Sequence, residues 1–301
     1  MPSSGDVTAV VPTLDEEEGI GLVIDELRAN GVGRIVVVDG GSRDRTREIA
    51  SSKGARVVIQ EGRGKALAVK TGLRFVETPW VLVIDGDHTY DASYLGAMLS
   101  AAEGYDEVIG ARLIGRENIP LLNRFGNWVI TKTFNILFGT RLSDVCSGMY
   151  LVRADVLREV WFEGRGFSVE VEVAAHVAST SRRITEVPVR YRERKGRPKL
   201  GRRHGLQIML DAVRLAWRYN PTVVVFALGS VPLLPGVPIL LWVFYEYVFR
   251  RVEHFVWAII SLQLVSVGFV SMLLAIVSLY LKRMEYRLTE RIEKAVQQRS
   301  S

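Results

Sequence analysis

One cysteine in 301 residues, Cys146, excludes an intrachain disulfide and any metal cluster built on thiolates. The four histidines show no ligand spacing, and His88, although it follows an acidic pair, is not read as a ligand. No G-x-x-x-x-G-K-[ST] segment occurs. Gly62-Arg63-Gly64-Lys65-Ala66 comes nearest, but Ala66 has no hydroxyl to place on a phosphate-bound Mg²⁺, so its glycines and lysine at a helix start read either as an approach to a nucleotide or as a plain turn. No G-x-G-x-x-G follows the first strand-like run, so ATPase and dinucleotide-binding readings both weaken. Repeats and low-complexity tracts are missing. Residues 1–6 carry no basic stretch leading into an apolar core, so no cleaved signal peptide is expected. The net charge of +6 is modest. Much of it flanks apolar runs, which favours anionic lipid or phosphate partners over nucleic acid.

Apolar residues are abundant, at 48%. Residues 223–249 and 255–281 are two runs of 27 residues, each about 40 Å as a helix against a hydrocarbon core of about 30 Å. They read as a transmembrane pair, the first kinked or broken near Pro232, Pro235 and Pro238. Arg202, Arg203, Arg214 and Arg218 precede them, and Lys282, Arg283, Arg287, Arg291, Lys294 and Arg299 follow. The connecting loop holds only Arg250 and Arg251. This bias predicts a multi-pass cell-membrane protein with both termini and the catalytic part in the cytoplasm. The reading divides the chain into a catalytic domain (1–205), a juxtamembrane amphipathic segment (206–222), a membrane hairpin (223–281) and an amphipathic tail (282–301). The spans or the tail offer a surface for a second copy of the chain.

Before the spans, strand-like runs at 8–11, 34–38, 55–59 and 80–84 alternate with helical periodicity at 17–29, 43–53 and 65–76. Such alternation predicts an α/β domain with a mainly parallel sheet covered on both faces. Ligands of such sheets sit beyond the carboxyl ends of the strands. Three polar clusters fall there: Pro12-Thr13-Leu14-Asp15-Glu16, Asp39-Gly40-Gly41-Ser42-Arg43-Asp44 and Asp85-Gly86-Asp87. Two carboxylates one residue apart at a strand tip offer hard oxygen donors to Mg²⁺ or Mn²⁺, which in turn can neutralise a diphosphate. Asp39 is placed to accept hydrogen bonds from a base or ribose, whereas Ser42 and Asp44 read as helix caps. Residues 119–138 form an amphipathic stretch with Trp128, suited either to a membrane interface or to packing on the domain core.

In order, Val11-Pro12-Thr13-Leu14-Asp15-Glu16, Val38 to Thr46, Gly62 to Ala66, Asp85-Gly86-Asp87, Asp144-Val145-Cys146-Ser147-Gly148-Met149 and Arg194 to Leu200 resemble the motifs of inverting family 2 glycosyltransferases. Within that family they are similar to the polyprenyl- and dolichyl-phosphate mannose and glucose synthases. The resemblance covers residues 8 to about 205. It implies a Rossmann-like GT-A domain followed by two transmembrane helices, and transfer of a hexose with inversion from a nucleotide sugar to dolichyl or polyprenyl phosphate. GDP-mannose is the favoured donor, with UDP-glucose or a non-catalytic membrane adaptor as alternatives. No Q-x-x-R-W segment supports polysaccharide synthesis.

Carried onto this chain, the resemblance assigns Pro12, Leu14, Glu16, Val37, Asp39, Asp85, Gly86 and Arg112 to the donor, and Asp87 with Thr89 to the metal. Arg124, Arg194 and Lys199 fall to the acceptor phosphate. Asp87, Arg112 and Arg124 are the candidate catalytic residues. Asp144 is expected to orient an arginine, and Glu170 to act as a sugar contact or an ion-pair partner. The chain departs from the family pattern at Leu14, Gly40, Thr89 and Pro198.

Overall fold

The computed structural model describes residues 1–162, 169–181, 183–195 and 221–300, the side chains of the last stretch in part. The chain divides into two compact units, Met1–Leu215 and Ala216–Ser301. Lys199 and residues 206–220 of the expected juxtamembrane segment lie outside the described residues.

The first unit is built on a seven-stranded sheet of order β3-β2-β1-β4-β6-β5-β7. Its strands are β1 (Val7–Thr13), β2 (Arg34–Asp39), β3 (Arg56–Ile59), β4 (Trp80–Val83), β5 (Glu107–Ile114), β6 (Tyr150–Arg153) and β7 (Ile184–Arg190). The helices are α1 (Ile20–Ala29), α2 (Thr46–Ser52), α3 (Lys65–Leu73), α4 (Leu95–Ala101), α5 (Leu121–Phe138), α6 (Ala154–Glu159) and α7 (Val169–Thr180). Strands β1 to β4 pair in parallel, as their alternation with helices predicts. The sheet is mainly parallel, as expected, with β5 and β7 also paired in parallel and β6 alone running antiparallel, to both β4 and β5. β6 is flanked by α5 and α6 like the other strands, so alternation with helices does not reveal its direction.

Side chains alternate across the sheet with period two. Val7, Ala9 and Val11 of β1 join Ile20, Ile24, Leu27, Leu95 and Met98 in one core. Val10, on the opposite face, joins Val69, Leu73, Tyr150 and Leu157 in a second. Because both faces of β1 are covered, the strand is a nearly continuous apolar run, its one polar residue before the tip, Thr8, being bonded to Thr78.

The second unit contains α8 (Pro221–Tyr245), a π-helical turn at Glu246–Arg250 and α9 (Phe255–Ser300). The first helix is continuous through Pro232, Pro235 and Pro238, so it is not broken there, and α9 runs without interruption into the tail. Within the helices, Leu228–Arg250 and Phe255–Ser278 have mean hydropathies of 1.7 and 2.3, and only 11% and 17% of their apolar windows are buried. Both are long and apolar enough to cross a membrane, and both are far too exposed to be core helices of a soluble domain. A Cβ on Gly268 would lie 2.4 Å from Leu233 Cγ, so a small residue sets the approach of the two helices. Glu246 is paired with Arg250 one turn on, at 3.2 Å.

Candidate active site

The tips of β1, β2 and β4 bring the three polar clusters to one sheet edge, with Thr13 in register with Asp39. The first two clusters knit together through their loops. Asp15, with φ of 48°, donates its backbone N–H to Ser42 Oγ at 2.9 Å, and its carboxylate accepts from Arg43 N at 2.7 Å. Asp39 is fully buried and turned into its own loop. It accepts from the backbone N–H groups of Gly41 and Ser42 (both 3.1 Å) and from the Ser42 hydroxyl. Asp44 accepts from Thr46 N at 3.0 Å, but the N-cap of α2 is Arg45 and Ser42 is engaged with Asp15 and Asp39, so neither is the helix cap expected.

Gly86 separates the two carboxylates of the third cluster because a Cβ there would lie 2.6 Å from Thr13 Cγ2. Asp87 is buried, and its Oδ1 accepts from Thr89 N (3.1 Å) and Thr89 Oγ1 (2.6 Å). Its Oδ2 lies 3.4 Å from Arg194. Burial and then the like charge of Asp85 raise its pKa, against the Thr89 hydrogen bonds and the Arg194 charge. A divalent cation would relieve both causes of that rise, and hard carboxylate oxygens suit Mg²⁺ or Mn²⁺. No set of three or more acidic, histidine or cysteine side chains forms a closed cage among the described residues. The residues therefore fit an ion held by one or two carboxylates and completed by substrate phosphates. Thr89 is committed to Asp87 and orients it.

Asp85 is bonded to Lys65 at the start of α3, and Lys65 also bonds Glu170 at the start of α7. Glu170 is thus an ion-pair partner, of a lysine. His88, with φ of 60°, meets Glu26 and Arg192, each at 2.9 Å. Arg192 also reaches Asp91 at 2.9 Å. The segment after β7 is laid over the acidic loop by Arg192 N to Thr89 O (2.7 Å) and Lys195 N to Asp87 O (3.2 Å). These contacts bring Arg194 to Glu16, at 2.7 Å. Arg194, expected at the acceptor phosphate, here bridges the carboxylates of Glu16 and Asp87.

Arg112 is buried and held by Asp144 through Nε to Oδ2 (2.6 Å) and Nη2 to Oδ1 (2.8 Å), as expected of an orienting carboxylate. It also donates to the Cys146 carbonyl at 3.0 Å and faces the Tyr191 ring at 5.5 Å. Pro12 lies at the end of β1, Val37 is buried within β2, and Leu14 is exposed. Arg124 stands exposed in the first turn of α5, and no described side-chain contact ties it to the acidic edge. Along α5, Leu121, Leu122, Phe125, Trp128 and Ile136 are exposed while Ile130, Phe134 and Leu137 are buried, so the helix carries apolar residues on both faces.

Sequence reasoning missed the Lys65 clamp and the Glu26–Arg192–Asp91 cluster. A cation in the first turn of α3 opposes the helix dipole and was the available signal for Lys65. Glu26 and Arg192 gave none.

The model of the family described as glycosyl transferase family 2 matches residues 8–161. Glycosyltransferase AglJ of Haloferax volcanii is 33% identical over 300 residues, which are 97% of this chain and 99% of that protein. The dolichyl-phosphate hexose transferase of the same organism is 38% identical over 200 residues, 65% of this chain and 86% of that protein. Among solved structures, glucosyl-3-phosphoglycerate synthase from Mycobacterium tuberculosis, bound to Mn²⁺, UDP-glucose and phosphoglyceric acid, aligns with a TM-score of 0.58 at 23% identity. The alignment covers 70% of this chain and 79% of that one, a likeness of fold.

Proposed function

The chain belongs to glycosyl transferase family 2, and on that premise we propose that it transfers a hexose, with inversion, from a nucleotide sugar to dolichyl or polyprenyl phosphate at a membrane. The observation that carries the reading is an acidic strand edge faced by two arginines, Arg112 and Arg194, in a chain that also holds two membrane-length apolar helices. The relative named for dolichyl-phosphate hexose transfer supports the acceptor class. Mannose from GDP-mannose is the donor proposed.

The arrangement suits an anionic acceptor. In the reaction the lipid phosphate oxygen forms a bond to the sugar C1 as the C1–O bond to the nucleoside diphosphate breaks, with the electron pair leaving on the diphosphate. A phosphate is already ionised near neutral pH, so no strong general base is required. The obstacle is repulsion: two unit charges about 4 Å apart repel by roughly 4 kcal/mol at an effective dielectric near 20. A divalent ion on Asp87 would supply Lewis-acid stabilisation of the leaving group. Arg112, fixed by Asp144, presents a planar fork matched to phosphate oxygens. Arg194 sits on Asp87 and Glu16, from which it can turn toward phosphate. Arg124 and Lys199 are proposed to complete the acceptor side, and Pro12, Leu14, Glu16, Val37, Asp39, Asp85 and Gly86 the nucleoside side.

The test supplies purified full-length protein with radiolabelled GDP-mannose or UDP-glucose, dolichyl phosphate and Mn²⁺ or Mg²⁺. One donor should label the organic-extractable fraction, and Asp87→Asn should abolish labelling. Label appearing only in water-soluble product would overturn the acceptor, and labelling from UDP-glucose alone would overturn the donor.

A further inference from the structure

Lysine is an unfavourable choice for the first residue of a helix, where the positive end of the dipole repels it. Lys65 occupies that position in α3, after Gly64 with φ of 91°. Its ammonium group is held by two carboxylates from distant elements, Asp85 at the tip of β4 and Glu170 in the first turn of α7. Glu170 is 5% exposed, and its Oε2 has no hydrogen-bond partner among the described residues, so Lys65 is its described counter-ion. Gly148 closes the corner: a Cβ there would lie 2.2 Å from Asp85 Oδ2 and 3.0 Å from Lys65 Nζ. Asp87, two residues from Asp85, makes none of these contacts and bonds instead to Thr89 and Arg194.

We propose that Lys65, anchored by Glu170, is the positioning residue that gives the two carboxylates of Asp85-Gly86-Asp87 different tasks. It neutralises Asp85 and leaves Asp87 to take the cation. The inference rests on the metal reading above and adds a residue outside the donor, acceptor and metal sets. Formal charges support the division. Asp85, Lys65 and Glu170 sum to −1, as do Asp87, Arg194 and Glu16, so neither half presents an uncompensated pair of carboxylates. Without Lys65 the edge would gain negative charge. A bare cation would then bind more tightly, while an anionic diphosphate would be repelled. A purely structural role predicts that both affinities fall together.

Full-length protein in detergent is titrated with Mn²⁺ alone by electron paramagnetic resonance, and then with GDP and UDP at saturating Mn²⁺. Lys65→Met is compared with the double variant Lys65→Met/Glu170→Gln, in which Asp85 is the one carboxylate left without its partner. Lys65→Arg serves as the conservative control. In Lys65→Met, where the Asp85 half reaches −2, Mn²⁺ affinity should rise by about three- to tenfold and nucleotide affinity should fall. In the double variant, where the sum returns to −1, both should return toward wild type, and Lys65→Arg should stay near wild type. Unchanged or weaker Mn²⁺ binding in Lys65→Met, or a double variant that departs from wild type as far as the single one, would overturn the proposal. If Asp87→Asn loses Mn²⁺ in the same series, that failure leaves the metal reading standing. If Asp87→Asn binds Mn²⁺ like wild type, the metal reading falls and the division of tasks falls with it.

Discussion

Asp144→Asn tests how the site holds its most buried cation. The side chains of Arg112 and Asp144 are 10% and 7% exposed. They share two hydrogen bonds, at 2.6 and 2.8 Å, and Asp144 accepts a third from Arg112 N at 3.1 Å. Removing one member of a buried pair costs about 3–5 kcal/mol because the other charge is left without its partner. Asparagine keeps one acceptor oxygen, and the Cys146 carbonyl and Tyr191 ring remain, so the expected loss is about 2–3 kcal/mol. At roughly 2–4 °C per kcal/mol for a unit of this size, thermal unfolding of the full-length protein in detergent should fall by about 4–12 °C. Adding Arg112→Met should recover at least half of that stability, since the orphaned charge is then gone, without recovering transfer. A shift under about 2 °C for Asp144→Asn, or a double variant less stable than the single one, would refute this account of the pair.

Glu107 is buried in β5, and neither carboxylate oxygen has a hydrogen-bond partner among the described residues. Burial raises its pKa well above the ordinary range. The folded state therefore holds a proton that the unfolded state releases, and stability declines as pH rises from the ordinary glutamate pKa toward the raised one. Glu107→Gln should remove that decline, gaining about 1.4 kcal/mol over wild type per pH unit in this window, as read by denaturant titrations at several pH values; parallel pH profiles would show that the group is not protonated. Arg124→Lys should lower acceptor-dependent turnover while leaving donor affinity near wild type, because lysine lacks the planar fork; if both kinetic responses match wild type, Arg124 is an ordinary surface charge. Replacing the exposed Leu122 and Phe125 by aspartate should depress turnover on long prenyl phosphates more than on short soluble ones. Equal loss on both would remove α5 from the membrane-contact reading.

Parts of this protein were legible in the amino-acid order because they depend on local pattern. The apolar runs of β1, β2 and β4 and the helical periodicity between them predicted a covered sheet, and each run ends at the polar cluster that supplies the site edge. The two membrane-length helices were legible from length and hydropathy, and α8 stays continuous through its prolines. The reversed direction of β6 was not legible, since a short apolar run carries no mark of which way its neighbours run. Ion pairs escaped for a different reason. Lys65 meets Glu170 across 105 residues, Arg192 meets Glu26 across 166 and Arg194 meets Glu16 across 178. A charged side chain carries its sign and reach in the sequence but nothing about which distant opposite charge it will meet. That choice belongs to strand order and loop packing, which set Arg194 against Asp87 and Asp85 against Lys65.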